Sequence, residues 1–593
     1  MTSNEDGLRS SALTICVAES KERETIYRVR HEVYARELGQ HHTNRSGSLQ
    51  DSLDERNIYI VAKTQNELVG FVSVTPPDGA TYSIDKYFSR GQLPFPFDEG
   101  LYEVRLLTVL KPQRGGEAAA LLMYAALRWV EAHGGTRVVV IGRRELREFY
   151  LRSGLKPLEL SVKAGAVTYE VLSATTDACR RQMGDFVKLL DRLRRKSDWR
   201  LSFPFHQPSA CFHGGAFFEA IGPKFDALDR SSSVINADVL DAWFPPSPRV
   251  VAALMEHLPW LLRTSPPTGC EGLLETIAEI RGLAPTQILP GAGSSDLIFR
   301  ALRQWMTPGS RALVLDPTYG EYTHVLEQVI GCSVDRLTLS REDRYDVDLA
   351  ELRAALVKGY DLVVLVNPNS PTGRHVPRDE LEDVVRRAPA RTRVWIDETY
   401  VEYAGADQSL EKFACRSENV VVCKSMSKVY ALSGARVAYL AAGRHQLEAL
   451  RAITPPWVVS LPSQVAAVEA LRDHDYYAAC YVATAALRES LTKALSALAM
   501  DAVPGIANFA LCHLPEAGPD ARTVVERCRE RSLFIRDAAQ MGTRLGSRAL
   551  RIAVKSHATN ARMIEILEEV LGRPHSRDRT DAGQTRRKAR LAV

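Results

Sequence analysis

The sequence predicts an α/β protein built from more than one domain, on three observations. Almost continuous apolar runs ending in polar residues recur in the C-terminal half: Arg311-Ala-Leu-Val-Leu-Asp316, Asp361-Leu-Val-Val-Leu-Val-Asn367 and Val394-Trp-Ile-Asp397. Such runs suit parallel strands buried on both faces, whose C-terminal ends are where an open α/β sheet places ligands. In the N-terminal half an alternating stretch, Tyr102 to Val109, leads through a Gly-Gly turn into an apolar helical pattern. Finally, 593 residues at 45% hydrophobic and 25% charged are ordinary globular composition, enough for two or three domains at about 100–200 residues each.

That composition excludes a collagen-like repeat, a disulfide scaffold and disorder along most of the chain. No run of about 18 apolar residues reads as a membrane span. Met1 to Ser11 lacks the apolar stretch of a secretory signal, so a cytoplasmic enzyme is expected. Ten cysteines, scattered from Cys16 to Cys528 without a close pair, fit a reducing compartment and no metal site. The net charge of +4 is local: from Arg573 onward there are seven Lys/Arg and two Asp. Residues 573–593 are expected as a disordered basic tail, and the body gives no electrostatic ground for nucleic acid or membrane.

In order along the chain, residues 1–174 read as a first domain. Residues 175–230 read as a connector helix, Thr175 to Trp199, with a packed aromatic linker behind it. Residues 231–572 alternate strand and helix. No internal repeat is visible.

In the C-terminal half, Ser425-Met-Ser-Lys428 sets hydroxyls three and one residues before a lysine, with Arg436 eight residues after it. Lys428 is an amine able to form an imine beside donors suited to a phosphate. Gly291-Ala-Gly-Ser-Ser295 opens a helical pattern, whose free N–H groups favour an anion. Asp397 ends a buried strand, and Tyr319 follows another in Asp-Pro-Thr-Tyr-Gly. The order and spacing of these elements resemble the fold-type-I, pyridoxal-phosphate-dependent aminotransferases of class I/II, nearest to the histidinol-phosphate aminotransferase group, from about Val234 to Leu571. The resemblance implies a large α/β/α domain with a mostly parallel sheet, a small α+β domain, and a homodimer with sites at its two-fold interface.

Residue by residue, it implies that Lys428 binds pyridoxal 5'-phosphate and shuttles the proton, and that Asp397 holds the pyridine nitrogen protonated. Tyr400 would donate to the ring's phenolic oxygen, and Tyr319 would stack on the ring. Gly293, Ser294, Ser295, Ser425, Ser427 and Arg436 would hold the phosphate. Arg551 would fork onto the substrate carboxylate, with Asn508 nearby. Three departures stand out. Ser370 occupies the place of an asparagine that touches the ring oxygen, with Asn369 as its substitute. A tyrosine is missing from Thr264-Ser-Pro-Pro-Thr268. Lys555 replaces a glycine. They leave the cofactor residues intact and speak against histidinol phosphate as substrate.

In the N-terminal half, strand, glycine loop and helix start together suit a pyrophosphate. Gln113-Arg114-Gly115-Gly116-Glu117-Ala118, with Glu148-Phe-Tyr-Leu-Arg-Ser-Gly-Leu-Lys156 later, resembles the GNAT acyltransferase superfamily over about 160 residues. The resemblance implies a mixed α/β domain in which this loop cradles coenzyme A. The backbone of Leu107 and Val109 would pair with the pantetheine arm, and Tyr150 would protonate the leaving thiolate. Strict alternation sets Glu103 on the face of Leu107 and Val109, making it the candidate base. Ile26-Tyr-Arg-Val-Arg-His-Glu-Val-Tyr-Ala-Arg-Glu37 with Asp51 and Asp54 also resembles the front of acyl-homoserine-lactone and N-acyl-amino-acid synthases. The donor that these resemblances imply is acetyl-CoA or another acyl thioester.

The expected function is a bifunctional enzyme: transamination between an amino acid, or an amino-acid phosphate-like substrate, and a keto acid, joined to N-acyl transfer from an acyl-CoA to an amine. The alternatives are a decarboxylase, cyclase or oxidase behind a non-catalytic coenzyme-A-binding or docking module.

Overall fold

The computed structural model describes residues 13–77, 81–206, 214–222 and 224–572. The basic tail expected at 573–593 lies outside them. The chain divides into two compact units, Met1–Pro208 and Ser209–Val593. Among the described residues no helix is long and apolar enough to cross a membrane.

The first unit is an eight-stranded sheet of β1 (Leu13–Val17), β2 (Ile58–Thr64), β3 (Glu67–Thr75), β4 (Leu101–Val109), β5 (Arg137–Arg143), β6 (Lys156–Ala164), β7 (Val167–Thr175) and β8 (Ser197–Trp199), in the order β6-β7-β5-β4-β3-β2-β1-β8. Neighbours are antiparallel except β4–β5 and β1–β8. Helix α1 (Arg23–Arg30) runs on into a π-helical turn, His31–Glu37. Helix α2 (Ala118–Ala132) buries Leu121, Leu122, Ala125 and Trp129 against Tyr102, Val104, Val138 and Val140. Helix α3 (Arg147–Arg152) follows β5.

Two irregularities in β4 shape this unit. Leu106 has φ +56°, and the register with β3 slips between Phe71 and Ser73. An extra residue in one strand transposes the faces beyond it. Leu107 and Val109 accordingly pack with Tyr102 and Val104 on the α2 side, whereas Arg105 reaches Asp51 on the other. Strict alternation therefore misplaces Glu103, which does not share a face with Leu107 and Val109. Second, β4 and β5 pair only from Leu101↔Arg137 to Val104↔Val140, although both strands continue. Beyond Val104 they part.

The connector expectation needs correction. Thr176–Gly184 (α4) and Val187–Arg195 (α5) are two helices, and β8 follows them. Leu190, Leu193, Phe203 and Phe205 join the α2 core, and Leu13 and Arg200 donate their N–H groups across the β1–β8 edge. Apolar side chains and an open strand edge make this stretch part of the first unit.

In the second unit the strands are β9 (Ile235–Asn236), β10 (Ile288–Gly291), β11 (Arg311–Asp316), β12 (Ser333–Thr338), β13 (Leu362–Val366), β14 (Arg393–Asp397), β15 (Val420–Ser425), β16 (Ala438–Ala441), β17 (Asp501–Ala502), β18 (Phe509–His513), β19 (Leu533–Phe534), β20 (Arg536–Asp537) and β21 (Ala549–Ala553). Seven form one sheet, β10-β16-β15-β14-β13-β11-β12, parallel apart from β16. Its core strands are buried on both faces, as their unbroken apolar runs require. A smaller antiparallel sheet, β17-β18-β21-β20, has its own core, including Leu550, Ile552 and Met563.

Candidate active sites

In the second unit, β10, β11, β13, β14 and β15 present their C-terminal ends together. Gly293 follows β10 at φ +88° and caps helix α6 (Ser294–Trp305), whose first N–H groups have no side-chain cap. The Arg436 guanidinium sits so close that a Cβ on Gly293 would collide with it. A positive helix end and an arginine thus converge on one point, as a phosphate needs. Ser425, which ends β15, and Ser427 are both buried. Ser295 instead gives its hydroxyl to Glu321 at 2.9 Å, and Glu321 also accepts from the Tyr319 hydroxyl at 2.8 Å.

Lys428 is held by Asp241, Nζ to Oδ1 at 2.9 Å, and by the Ser433 hydroxyl at 3.3 Å. Burial lowers the Lys428 pKa, and the Asp241 charge opposes that shift. Lys424, the nearby alternative, is locked among carboxylates, 2.8 Å from Glu402 and 3.4 Å from Glu398, which raise its pKa. Asp397 accepts from Tyr322 at 2.7 Å and from the Thr399 hydroxyl at 2.6 Å. Tyr322 in turn accepts from Trp395 Nε1 at 2.7 Å. Burial raises the Asp397 pKa, and the hydrogen bonds from Thr399 and Tyr322 oppose that shift. Tyr400 is buried edge-on to Phe509.

Arg551 on β21 donates to the Ser370 hydroxyl at 3.3 Å and to the Asp238 carbonyl at 3.1 Å, while its Nε is buried without a partner among the described residues. Burial lowers its pKa to about 10. Asn508 donates to the Leu240 carbonyl at 2.9 Å, and its Oδ1 is similarly orphaned. Lys555 points at the Asp241 carbonyl from 3.4 Å. These side chains pin the segment Asp238–Asp241, which delivers Asp241 to Lys428. Asn369, expected as the substitute for the missing asparagine, donates one amide N–H to the Pro317 carbonyl at 2.9 Å and accepts from the Thr318 hydroxyl at 3.2 Å. Asp241, Glu321 and Tyr322 escaped the sequence reading. Glu321 and Tyr322, two and three residues beyond Tyr319, carried the only usable signal.

In the first unit, the gap between β4 and β5 opens into a cavity of about 240 Å³, lined by Leu107, Val109, Arg114 and Tyr150 among others. Tyr150 is buried, which pushes its phenol pKa up and keeps it a donor. The loop ahead of α2 turns at Gly115, φ +86°. Arg114 ion-pairs with Glu37 and donates to the Val109 carbonyl at 2.9 Å. Glu117 is drawn to Arg192 at 2.8 Å and Lys196 at 3.3 Å. Backbone alone is left to face a ligand across Gly115 and Gly116. Glu103 lies outside the cavity lining. It is fully buried, and its carboxylate accepts from Ser83 N at 2.8 Å, Ser83 Oγ at 2.6 Å and Ile84 N at 3.1 Å. It braces a loop, and the base assignment is corrected. In the cavity wall Arg30 pairs with Asp54 at 2.6 Å and Asp51 at 3.4 Å, and Asp51 also pairs with Arg105.

Residues 237–570 match the aminotransferase class I and II family, and residues 23–155 match the acetyltransferase (GNAT) family. A histidinol-phosphate aminotransferase from Methylobacillus flagellatus is 28% identical over 327 residues, 55% of this chain and 85% of that protein. One from Staphylococcus saprophyticus is 33% identical over 250 residues, 42% of this chain and 69% of that protein. Histidinol-phosphate aminotransferase from Sinorhizobium meliloti, solved in complex with pyridoxal-5'-phosphate, aligns at TM-score 0.53 and 24% identity, covering 62% of this chain and 99% of that one. L-threonine-O-3-phosphate decarboxylase from Porphyromonas gingivalis aligns at TM-score 0.51 and 22% identity, covering 57% and 100%. At such identities the structural likeness carries the fold. The matched segment, more than half of the chain, contains every element of the Lys428 site, and the chain belongs to the class I and II aminotransferases, with a GNAT-family acetyltransferase domain ahead of that segment.

Proposed function

We propose that this chain is a bifunctional enzyme, transaminating an amino acid at Lys428 and transferring an acyl group from a thioester to an amine in its first unit. The observation that carries the transaminase reading is the convergence around Lys428 of a phosphate cradle, a buried carboxylate and a buried arginine. These residues fit pyridoxal 5'-phosphate: Gly293, the α6 N-terminus and Arg436 for the phosphate, and Asp397 for the ring nitrogen. A carboxylate buried among neutral donors gains from a cationic partner. When bound, the cofactor supplies the electron sink for the charge left on the substrate's α-carbon.

This chain's own residues do the rest. Lys428, its amine made easier to deprotonate by burial and oriented by Asp241 and Ser433, takes and returns the α-proton. Arg551 offers its orphaned Nε side to the substrate carboxylate, a charge-assisted contact contributing about 1.5–3 kcal/mol. Tyr319 is steadied by Glu321, so its ring keeps one orientation. A homodimer is expected, supported by the helix Pro248–Arg263, which exposes Met255 and Leu262 at 75% and 70% of their surface, beside Trp260 and Leu258.

A second reading, a decarboxylase, cyclase or oxidase, is favoured by Lys555, an amine whose pKa burial lowers to about 8 beside the same Asp241. The products decide. An amino-acid panel with a keto-acid acceptor, followed by mass analysis, is expected to show the amino group on the keto acid. Release of carbon dioxide or peroxide instead would move the second unit to the other reading. Borohydride trapping and peptide mapping are expected to label Lys428, and label on Lys424 would overturn the site.

A further inference from the structure

Buried phenols line the cavity of the first unit: Tyr34 from the π-helical turn, Tyr150 from α3 and Tyr169 from β7. Two of them have their protons committed. Thr108 Oγ1 donates to the Leu106 carbonyl at 3.0 Å, so the Tyr34 hydroxyl, 3.0 Å from that Oγ1, is the donor of their pair. The Tyr169 hydroxyl donates to Gln40 Oε1 at 2.6 Å. The Tyr150 hydroxyl has no hydrogen bond among the described residues.

What seats Tyr150 is a residue without a side chain. Gly142, buried near the end of β5, pairs in regular register with Glu170 of β7. Its φ lies outside the left-handed region, so the backbone there accepts any residue. Space does not. A Cβ on Gly142 would stand 2.3 Å from Cε2, 2.7 Å from Cζ and 2.9 Å from Cδ2 of Tyr150. Cζ carries the hydroxyl, so the working edge of the ring lies directly on the strand backbone. Glycine inside a strand weakens it and marks a close approach; here the approaching group is the phenol. Alternation sets Gly142 with Val138 and Val140 on the α2 face, where Tyr150 packs with them and with Leu107 and Val109. That is the helix which the Gly115–Gly116 loop opens.

Resting on the acyltransferase reading above, we propose that Gly142 is a positioning residue: its missing side chain is the slot that brings the Tyr150 hydroxyl, alone among these phenols, to the departing sulfur. The neutral amine nitrogen attacks the thioester carbonyl carbon, forming the C–N bond. The C–S bond breaks, its electron pair leaves on sulfur, and Tyr150 gives that sulfur its proton. The proton shed by the amine passes to solvent, and solvent returns one to the phenolate. The products are an amide and a free thiol. Neither Tyr34 nor Tyr169 can stand in without first breaking its own hydrogen bond.

The test compares the full chain as wild type, Gly142→Ala, Tyr150→Phe and the double variant. Acetyl-CoA and octanoyl-CoA are the donors. Thiol release is scored with a panel of amino acids, polyamines and aminoglycosides, and with water, into which the same sulfur leaves. Gly142→Ala should lower kcat by about tenfold or more, about 1.4 kcal/mol, with KM and calorimetric affinity for the thioester unchanged. The double variant should be no slower than Tyr150→Phe, because the slot acts only through the hydroxyl; a merely structural role would add its own loss. Should Gly142→Ala fold poorly, joining it to Tyr150→Leu removes the colliding ring. That pair should recover the thermal midpoint and turn over at the rate of Tyr150→Leu. Wild-type kcat in Gly142→Ala, additive losses, or Tyr150→Phe as fast as wild type overturns the slot while leaving the acyltransferase intact. Failure of wild type to bind either thioester, or binding without any thiol release, overturns the acyltransferase reading and the slot with it.

Discussion

Asp397 shows how a single residue can be legible in sequence while its setting is not. A polar residue ending a buried apolar strand is visible in Val394-Trp-Ile-Asp397, but the Trp395–Tyr322–Asp397 chain of hydrogen bonds joins positions 73 and 75 apart. Asp397→Ala should keep the fold and lower kcat by about a hundredfold or more, read in steady-state kinetics at saturating cofactor; near-wild-type turnover would remove Asp397 from the chemistry. Glu103 is the opposite case. Its residue type and strand suggested a base, and only the Ser83 and Ile84 donors show that its oxygens are already used. His513 carries a prediction of another kind. It is 2% exposed, bonds the Tyr345 hydroxyl at 2.8 Å, and burial lowers its pKa from 6.5 to about 4. Between those values the unfolded chain binds more protons than the folded one, so stability present above pH 6.5 is lost as pH falls towards 4. A melting series across that window should show the fall, and His513→Gln should flatten it.

Among elements, β4 separates what periodicity can reveal from what it cannot. Its existence, its residues and the helix after it are all legible in Tyr102–Val109 and the apolar pattern from Leu121. The positive φ at Leu106 is not, because leucine signals no bulge, yet it decides which side chains share a face. The Gly115–Gly116 loop was easier to read, since glycine marks a close backbone approach before any geometry is known. Gly116→Glu brings bulk and a like charge to a polyanion, so acetyl-CoA affinity should fall by about tenfold or more in calorimetry, about 1.4 kcal/mol. Borohydride labelling of Lys428, in the other unit, should be unchanged; normal acetyl-CoA binding would mean that the loop serves something else.

On the scale of the molecule, composition and length gave the right kind of chain, and the apolar strand runs gave the doubly covered sheet. The placement of 176–199 went unseen because a polar helical stretch looks alike whether it bridges two domains or closes one. The two units have separate cores: in the first, clusters around α2 and on the other side of its sheet, and in the second, clusters around the seven-stranded and four-stranded sheets. A chain of two compact units departs from a single two-state transition. Scanning calorimetry should resolve two, with acetyl-CoA raising only one of them; a single transition moved as a whole would show the units to be coupled. Light scattering should report a dimer, and an active monomer would contradict it. The three residues of β8 have one more consequence. They occupy the outer side of β1, whose backbone groups would otherwise be open to any extended chain. A fragment cut at the end of β7 would keep the whole cavity and still present a bare, apolar-backed strand to its neighbours. Such a fragment should precipitate or form ladders of copies joined strand to strand, whereas one carried through to Pro208 should stay dispersed at the same concentration.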